Sequence, residues 1–146
     1  MLPFFEGIIA AIGALIVELS PPIFGLILTE NSLFFLFFAA SSEEIIKYAF
    51  IYNHFTKLKT KERILSGSIL IGLGFACIDI ILKQLSYDKS VLLPVIGVFL
   101  VHLFTAALLG LFLRKNISKP IALSILILVL NILIHFSYNL LILRMN

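Results

Sequence analysis

The chain has no tryptophan, a single cysteine and few charges: only 13% of its 146 residues are Asp, Glu, Lys or Arg. One cysteine, Cys77, excludes an internal disulfide framework and any CxxC metal site. Soluble domains carry about 25% charged and about 45–50% apolar residues. Here 61% are hydrophobic and the mean hydropathy is +1.15. Those values exclude a soluble globular domain, a disordered tail and a nucleic-acid binder. The net charge of +3 makes no basic patch, because the basic residues fall in short clusters between apolar runs. What remains is a polytopic membrane protein.

A bilayer core of roughly 30 Å needs about 20 mostly apolar residues per helical span. Five runs qualify, at about 4–28, 32–55, 64–85, 91–113 and 120–143, and they consume most of the chain. Polar punctuation separates them at Thr29–Asn31, Lys57–Arg63, Ser86–Ser90 and Arg114–Lys119. The chain therefore reads as all-α, a transmembrane helical bundle of about five spans in one integral membrane domain, 1–146. The N-terminus lacks a positive n-region and a small-residue cleavage site, so the first span is expected to be retained. Ser20-Pro21-Pro22 must break or kink that span and free backbone groups. Small residues at helical spacing (Ser68, Gly72 and Ala76; Ala106 and Gly110) predict close helix–helix packing.

Loop charge sets an expected orientation. Lys57, Lys59, Lys61 and Arg63 follow the second span, and Arg114, Lys115 and Lys119 follow the fourth. The positive-inside rule puts both loops, and with them the N-terminus, in the cytoplasm; Arg144 disagrees slightly, but the loops outvote it.

Ionisable groups at bilayer depth are costly and face a partner, the bundle interior or a water-filled cavity. Every span has at least one: Glu18; Glu43, Glu44 and Lys47; Asp79 and Lys83; His102; and His135, flanked by Asn131 and Asn139. At 1.5 Å per residue, Glu43 and His102 lie roughly 16 Å below the outer ends of their spans, Asp79 roughly 10 Å and His135 roughly 12 Å. One cavity, open to the outer face, satisfies all four depths. Glu43 and Lys47 share a helix face, Glu44 points about 100° away, and His135 and Asn139 project into one groove. A carboxylate beside two histidines suits taking a proton from water and returning it to a leaving amine.

Four short motifs carry a resemblance. Glu43-Glu44-Ile45-Ile46-Lys47 matches EExxK, and Gly74-Phe75-Ala76-Cys77-Ile78-Asp79 resembles GFAxxE with aspartate for glutamate. His102-Leu103-Phe104-Thr105, with Gly110 behind it, resembles HxxT…G, and His135-Phe136-Ser137-Tyr138-Asn139 matches HxxxN. In this order, over about residues 38–140, the set resembles the PrsW family of intramembrane proteases. More distantly it is similar to the CAAX-endopeptidase and bacteriocin-processing superfamily. The resemblance implies an intramembrane endopeptidase of a prokaryotic cytoplasmic membrane, acting on membrane proteins or on lipidated or leader peptides. In it Glu43, with Glu44 beside it, activates water, His102 assists, and His135 and Asn139 bind the oxyanion. Lys47 and Asp79 support the site. No metal is implied, although a Glu/His set also invites zinc. Relatives are usually longer, with additional helices.

Other readings stay open on the residues alone. Glu43 and Glu44 form a structural ion pair with Lys47 in one, and Asp79 pairs with Lys83 in another. Glu18 lines the cavity or satisfies backbone freed at the proline pair, and His54 is an interfacial anchor. A proton or metal-ion transporter, or a non-catalytic binding or immunity protein, would use the same polar groups.

Overall fold

The computed structural model describes residues 2–21, 32–57, 62–86, 92–115 and 121–145. Of the polar stretches read from the sequence, residues 29–31, 58–61, 87–90 and 116–119 lie outside the described residues, as do Pro22 and the Lys83 side chain. The described residues form five helices: α1 (Pro3–Glu18), α2 (Leu33–Lys57), α3 (Glu62–Ser86), α4 (Leu92–Lys115) and α5 (Ile121–Met145). Pro3 opens α1 at the position where its missing N–H costs nothing. At the other end the Leu19 N–H closes on Leu15 O at 2.9 Å, and Pro21 follows. The first apolar run is thus helical only over 3–18 among its described residues, because the proline pair cannot continue the ladder. α2 restarts at Ser32, whose hydroxyl accepts the Phe35 N–H at 3.1 Å as an N-cap.

The helices close into a ring in the order α1, α3, α4, α5 and α2, and α2 touches all four others. Small residues allow the two closest approaches. A Cβ at Gly7 would collide with the Ile71 carbonyl, and one at Gly74 with the Phe4 carbonyl, so α1 and α3 meet backbone to backbone. At the α3–α4 seam a Cβ on Gly72 would lie 2.6 Å from Ala106 Cβ and one on Gly110 2.6 Å from Ser68 Oγ. The small-residue spacing expected to mark helix packing therefore does so.

The bundle is apolar outside and polar inside. Large hydrophobics face outward on every helix, among them Ile16, Phe34, Ile81, Leu100 and Leu126. Among the described residues three helical stretches are long and apolar enough to cross a membrane: Arg63–Leu82, Val95–Lys115 and Leu123–Arg144, with mean hydropathies of 2.2, 2.4 and 2.2. α1 has 16 residues, roughly 24 Å of helix. Every stretch of α2 of membrane-crossing length includes Glu43, Glu44 and Lys47. Two apolar cores fill the interior beside these groups. One, of Ile51, Ile64, Ile71, Ala106, Leu109 and Leu113, lies on the side of the α2 C-terminus, and the other joins Ala10, Ala11 and Ala14 to Phe75.

Candidate functional site

Most of the polar residues turned inward by these helices meet in one cluster. α2 contributes Glu43, Glu44 and Lys47 within a single turn, α3 contributes Asp79, α4 His102 and Thr105, and α5 Asn131 and His135. Glu44, Lys47, His102, Thr105 and Asn131 have no exposed surface, and His135 has 1%. Isolated charges at such depth cost several kcal/mol each, so the network must satisfy them.

Lys47 Nζ is the hub. It donates to Glu44 Oε1 at 2.6 Å and to Thr105 Oγ1 at 3.1 Å, and it lies 3.1 Å from His102 Nδ1. The Phe75 ring covers it, with its centroid 4.9 Å away, and adds a cation–π contact. Glu44 Oε1 also accepts from Thr105 Oγ1 at 3.2 Å and faces His135 Nδ1 at 2.9 Å. On its far side His102 Nε2 lies 2.9 Å from Asp79 Oδ2. Asn131 Nδ2 donates to the Thr105 carbonyl at 2.9 Å and ties α5 to α4 beneath the cluster. The two imidazoles stand edge to face, 4.9 Å between centroids. Glu43 Oε2 lies at their meeting point, 3.6 Å from Nε2 of His102 and 3.6 Å from Nε2 of His135.

Spacing alone put Lys47 beside Glu43. In the structure Lys47 pairs with Glu44 instead, three residues back, along the stripe that continues to buried Ile51. Glu43 and Asp79 keep slightly more exposed side chains, 7% and 13%, and so form the rim of the cluster. Asp79 reaches His102, while its alternative partner Lys83 has a side chain outside the described residues. Asn139 is half-buried one turn beyond His135 and makes no hydrogen bond among the described residues. Glu18 lies 3.3 Å from the Ser42 hydroxyl, which joins the end of α1 to α2 one residue before Glu43. Thr105 and Asn131 were legible as neighbours of the histidines, at i+3 and i−4, but not as network members. Glu6 was missed altogether: it is buried in α1 and lies 2.8 Å from His54 of α2, so His54 is an interhelical partner as well as a flank of the basic loop. A lone acid in an apolar run near the chain start was the available signal.

Glu43, His102 and His135 each offer a ligand atom, all within 4.8 Å of one another. A metal-bound histidine normally donates its second N–H to a carboxylate or carbonyl. His135 meets that condition through Glu44, but His102 turns its second nitrogen to the Lys47 ammonium, a donor. The set does not fit a metal held by both rings. Comparison with known protein families, with curated proteins and with solved structures yields no match.

Proposed function

We propose that the protein is an intramembrane endopeptidase that cleaves membrane-associated protein or peptide substrates with Glu43-bound water and no metal. The resemblance of its four motifs to the PrsW family motivates the reading. The observation that carries it is Glu43 Oε2 at 3.6 Å from the Nε2 atoms of both histidines, at the rim of a buried, hydrogen-bonded cluster. Glu43 binds the water and accepts one of its hydrogens; the two rings supply the proton acceptor and the donor that hydrolysis requires. Glu44 and Lys47 hold the rings and Asp79 supports His102. Asn139, a turn outward, lies on the side from which a peptide arrives and offers an amide to the oxyanion.

In this reading all five helices are embedded, the basic ends of α2 and α4 face the cytoplasm, and substrate enters from the outer half. The apolar core from Ile51 to Leu113 supports a site closed on its inner side, which a proton or ion conduit would have to breach. Membranes from cells expressing wild type or Glu43→Gln at matched levels are compared by N-terminal peptide profiling. New termini should form in the wild type and fall by about 10²–10⁴-fold in the variant, as for loss of a group acting on water. Equal cleavage by a folded Glu43→Gln protein sinks the assignment.

A further inference from the structure

We infer that Lys47 and Glu44 hold the two buried histidines in opposite tautomers, so that His135 Nε2 is the proton acceptor of the cluster and His102 Nε2–H its donor. The inference begins with hydrogen counting. The Lys47 ammonium has three hydrogens and no lone pair. It has three acceptors within reach: Glu44 Oε1, Thr105 Oγ1 and His102 Nδ1. His102 Nδ1 must therefore present its lone pair. A neutral ring then carries its proton on Nε2, where Asp79 Oδ2 stands 2.9 Å away to receive it.

His135 is built the other way round. Its Nδ1 faces Glu44 Oε1 at 2.9 Å, and a carboxylate only accepts. Nδ1 carries the proton, and in a neutral ring the lone pair is then on Nε2, 3.6 Å from Glu43 Oε2. This is the carboxylate–imidazole arrangement that orients a general base and stabilises its imidazolium. Glu44 thus acts through His135 and Lys47 through His102; both are positioning residues. The resemblance alone assigned the rings in reverse, with His102 helping to activate water and His135 binding the oxyanion.

For the chemistry the inference rests on the peptidase reading. Water bound at Glu43 gives one proton to His135 Nε2 as its oxygen bonds to the peptide carbonyl carbon. The carbonyl π pair moves to oxygen, and the oxyanion accepts from His102 Nε2–H, whose hydrogen turns to it from Asp79 Oδ2. The His135 imidazolium then returns the proton to the amide nitrogen as the C–N bond breaks, which leaves an acid and an amine.

The test has an arm that needs no activity. Histidine-15N NMR of the full chain in lipid nanodiscs, assigned with His102→Gln and His135→Gln, reports which nitrogen of each ring is protonated. The expected spectrum has His102 protonated at Nε2 and His135 at Nδ1, and Lys47→Met removes the single-tautomer signature of His102 while leaving that of His135. Matching tautomers in the wild type, or a doubly protonated ring, overturn the inference. The second arm is cleavage. Glutamine at 102 still donates an N–H, so His102→Gln should cost less than about tenfold and His102→Ala about 10²–10³-fold. His135→Gln should cost about 10²–10⁴-fold. Equal losses from the two glutamine variants count against the assignment. A wild type with opposite tautomers and no cleavage retires the peptidase reading alone.

Discussion

A lysine with no exposed surface is tolerated only when each of its protons has an acceptor, and Lys47 has Glu44, Thr105 and His102. Removing one member of a buried pair leaves the other charge stranded, which costs about 3–5 kcal/mol. Lys47→Met should therefore lower stability by about that amount, read by thermal or denaturant unfolding in detergent. Glu44→Gln/Lys47→Met, which removes both charges, should cost less than the sum of its parts, because replacing a whole buried pair is often close to neutral. Additive losses would mean that the two side chains do not interact. The sequence exposed the membership of this site better than its wiring. Glu43, Glu44, His102 and His135 stood out because apolar helices rarely carry such groups. Lys47's choice of Glu44 did not, because it depends on where Thr105 and His102 of α4 cross α2 and not on spacing within α2. Glu6 escaped for the same reason, since its partner His54 lies on another helix.

At the scale of the helices, the apolar runs located four almost to their ends. Runs expected at 32–55, 64–85, 91–113 and 120–143 are helices at 33–57, 62–86, 92–115 and 121–145. Hydropathy does not register where the first helix stops: α1 ends at Glu18, just before the Ser20-Pro21-Pro22 break that the sequence predicts, and residues 22–28 lie outside the described residues. What hydropathy also omits is how closely helices approach. Gly74 sits against the Phe4 carbonyl and Gly7 against the Ile71 carbonyl, so neither site has room for a side chain. Gly74→Val should separate α1 from α3 and cost at least the 1–3 kcal/mol or so typical of overpacking. Gly13, on the same α1, offers a control. A Cβ there meets only Ile46 Cγ2 at 3.9 Å, so Gly13→Ala should stabilise the helix by about 0.5–1 kcal/mol. Unfolding of the two variants side by side separates contact from propensity; equal effects would remove the close α1–α3 approach from the account.

For the whole molecule, the distribution of polarity and the distribution of charge point the same way. Hydrophobic side chains such as Ile16, Phe34, Leu100 and Leu126 cover the outside, while the charged cluster lies within, with Glu43 and Asp79 at its rim. That is the reverse of a water-soluble bundle and the arrangement a bilayer rewards. Among the described residues, Arg63 and Arg114 mark one end of the bundle and Arg144 the other. Arg63 lies beside Pro3 and His54 around a cavity of about 330 Å³, and a Cβ on Gly110, one turn before Arg114, would meet Ser68 of the first turns of α3. The ends of α2 and α4 and the starts of α1 and α3 therefore share one face, and the positive-inside rule assigns it to the cytoplasm. Single cysteines placed in a Cys77→Ser background test this directly. Thr56→Cys and Arg114→Cys, both at exposed positions of that end, should resist a membrane-impermeant maleimide applied outside intact cells and react once the membrane is opened. Arg144→Cys, exposed at the far end of α5, should react from outside. The opposite pattern would invert the bundle. On the proposed peptidase reading, substrate would then have to reach Glu43 from the cytoplasmic half, and an extracytoplasmic peptide would cease to be a candidate.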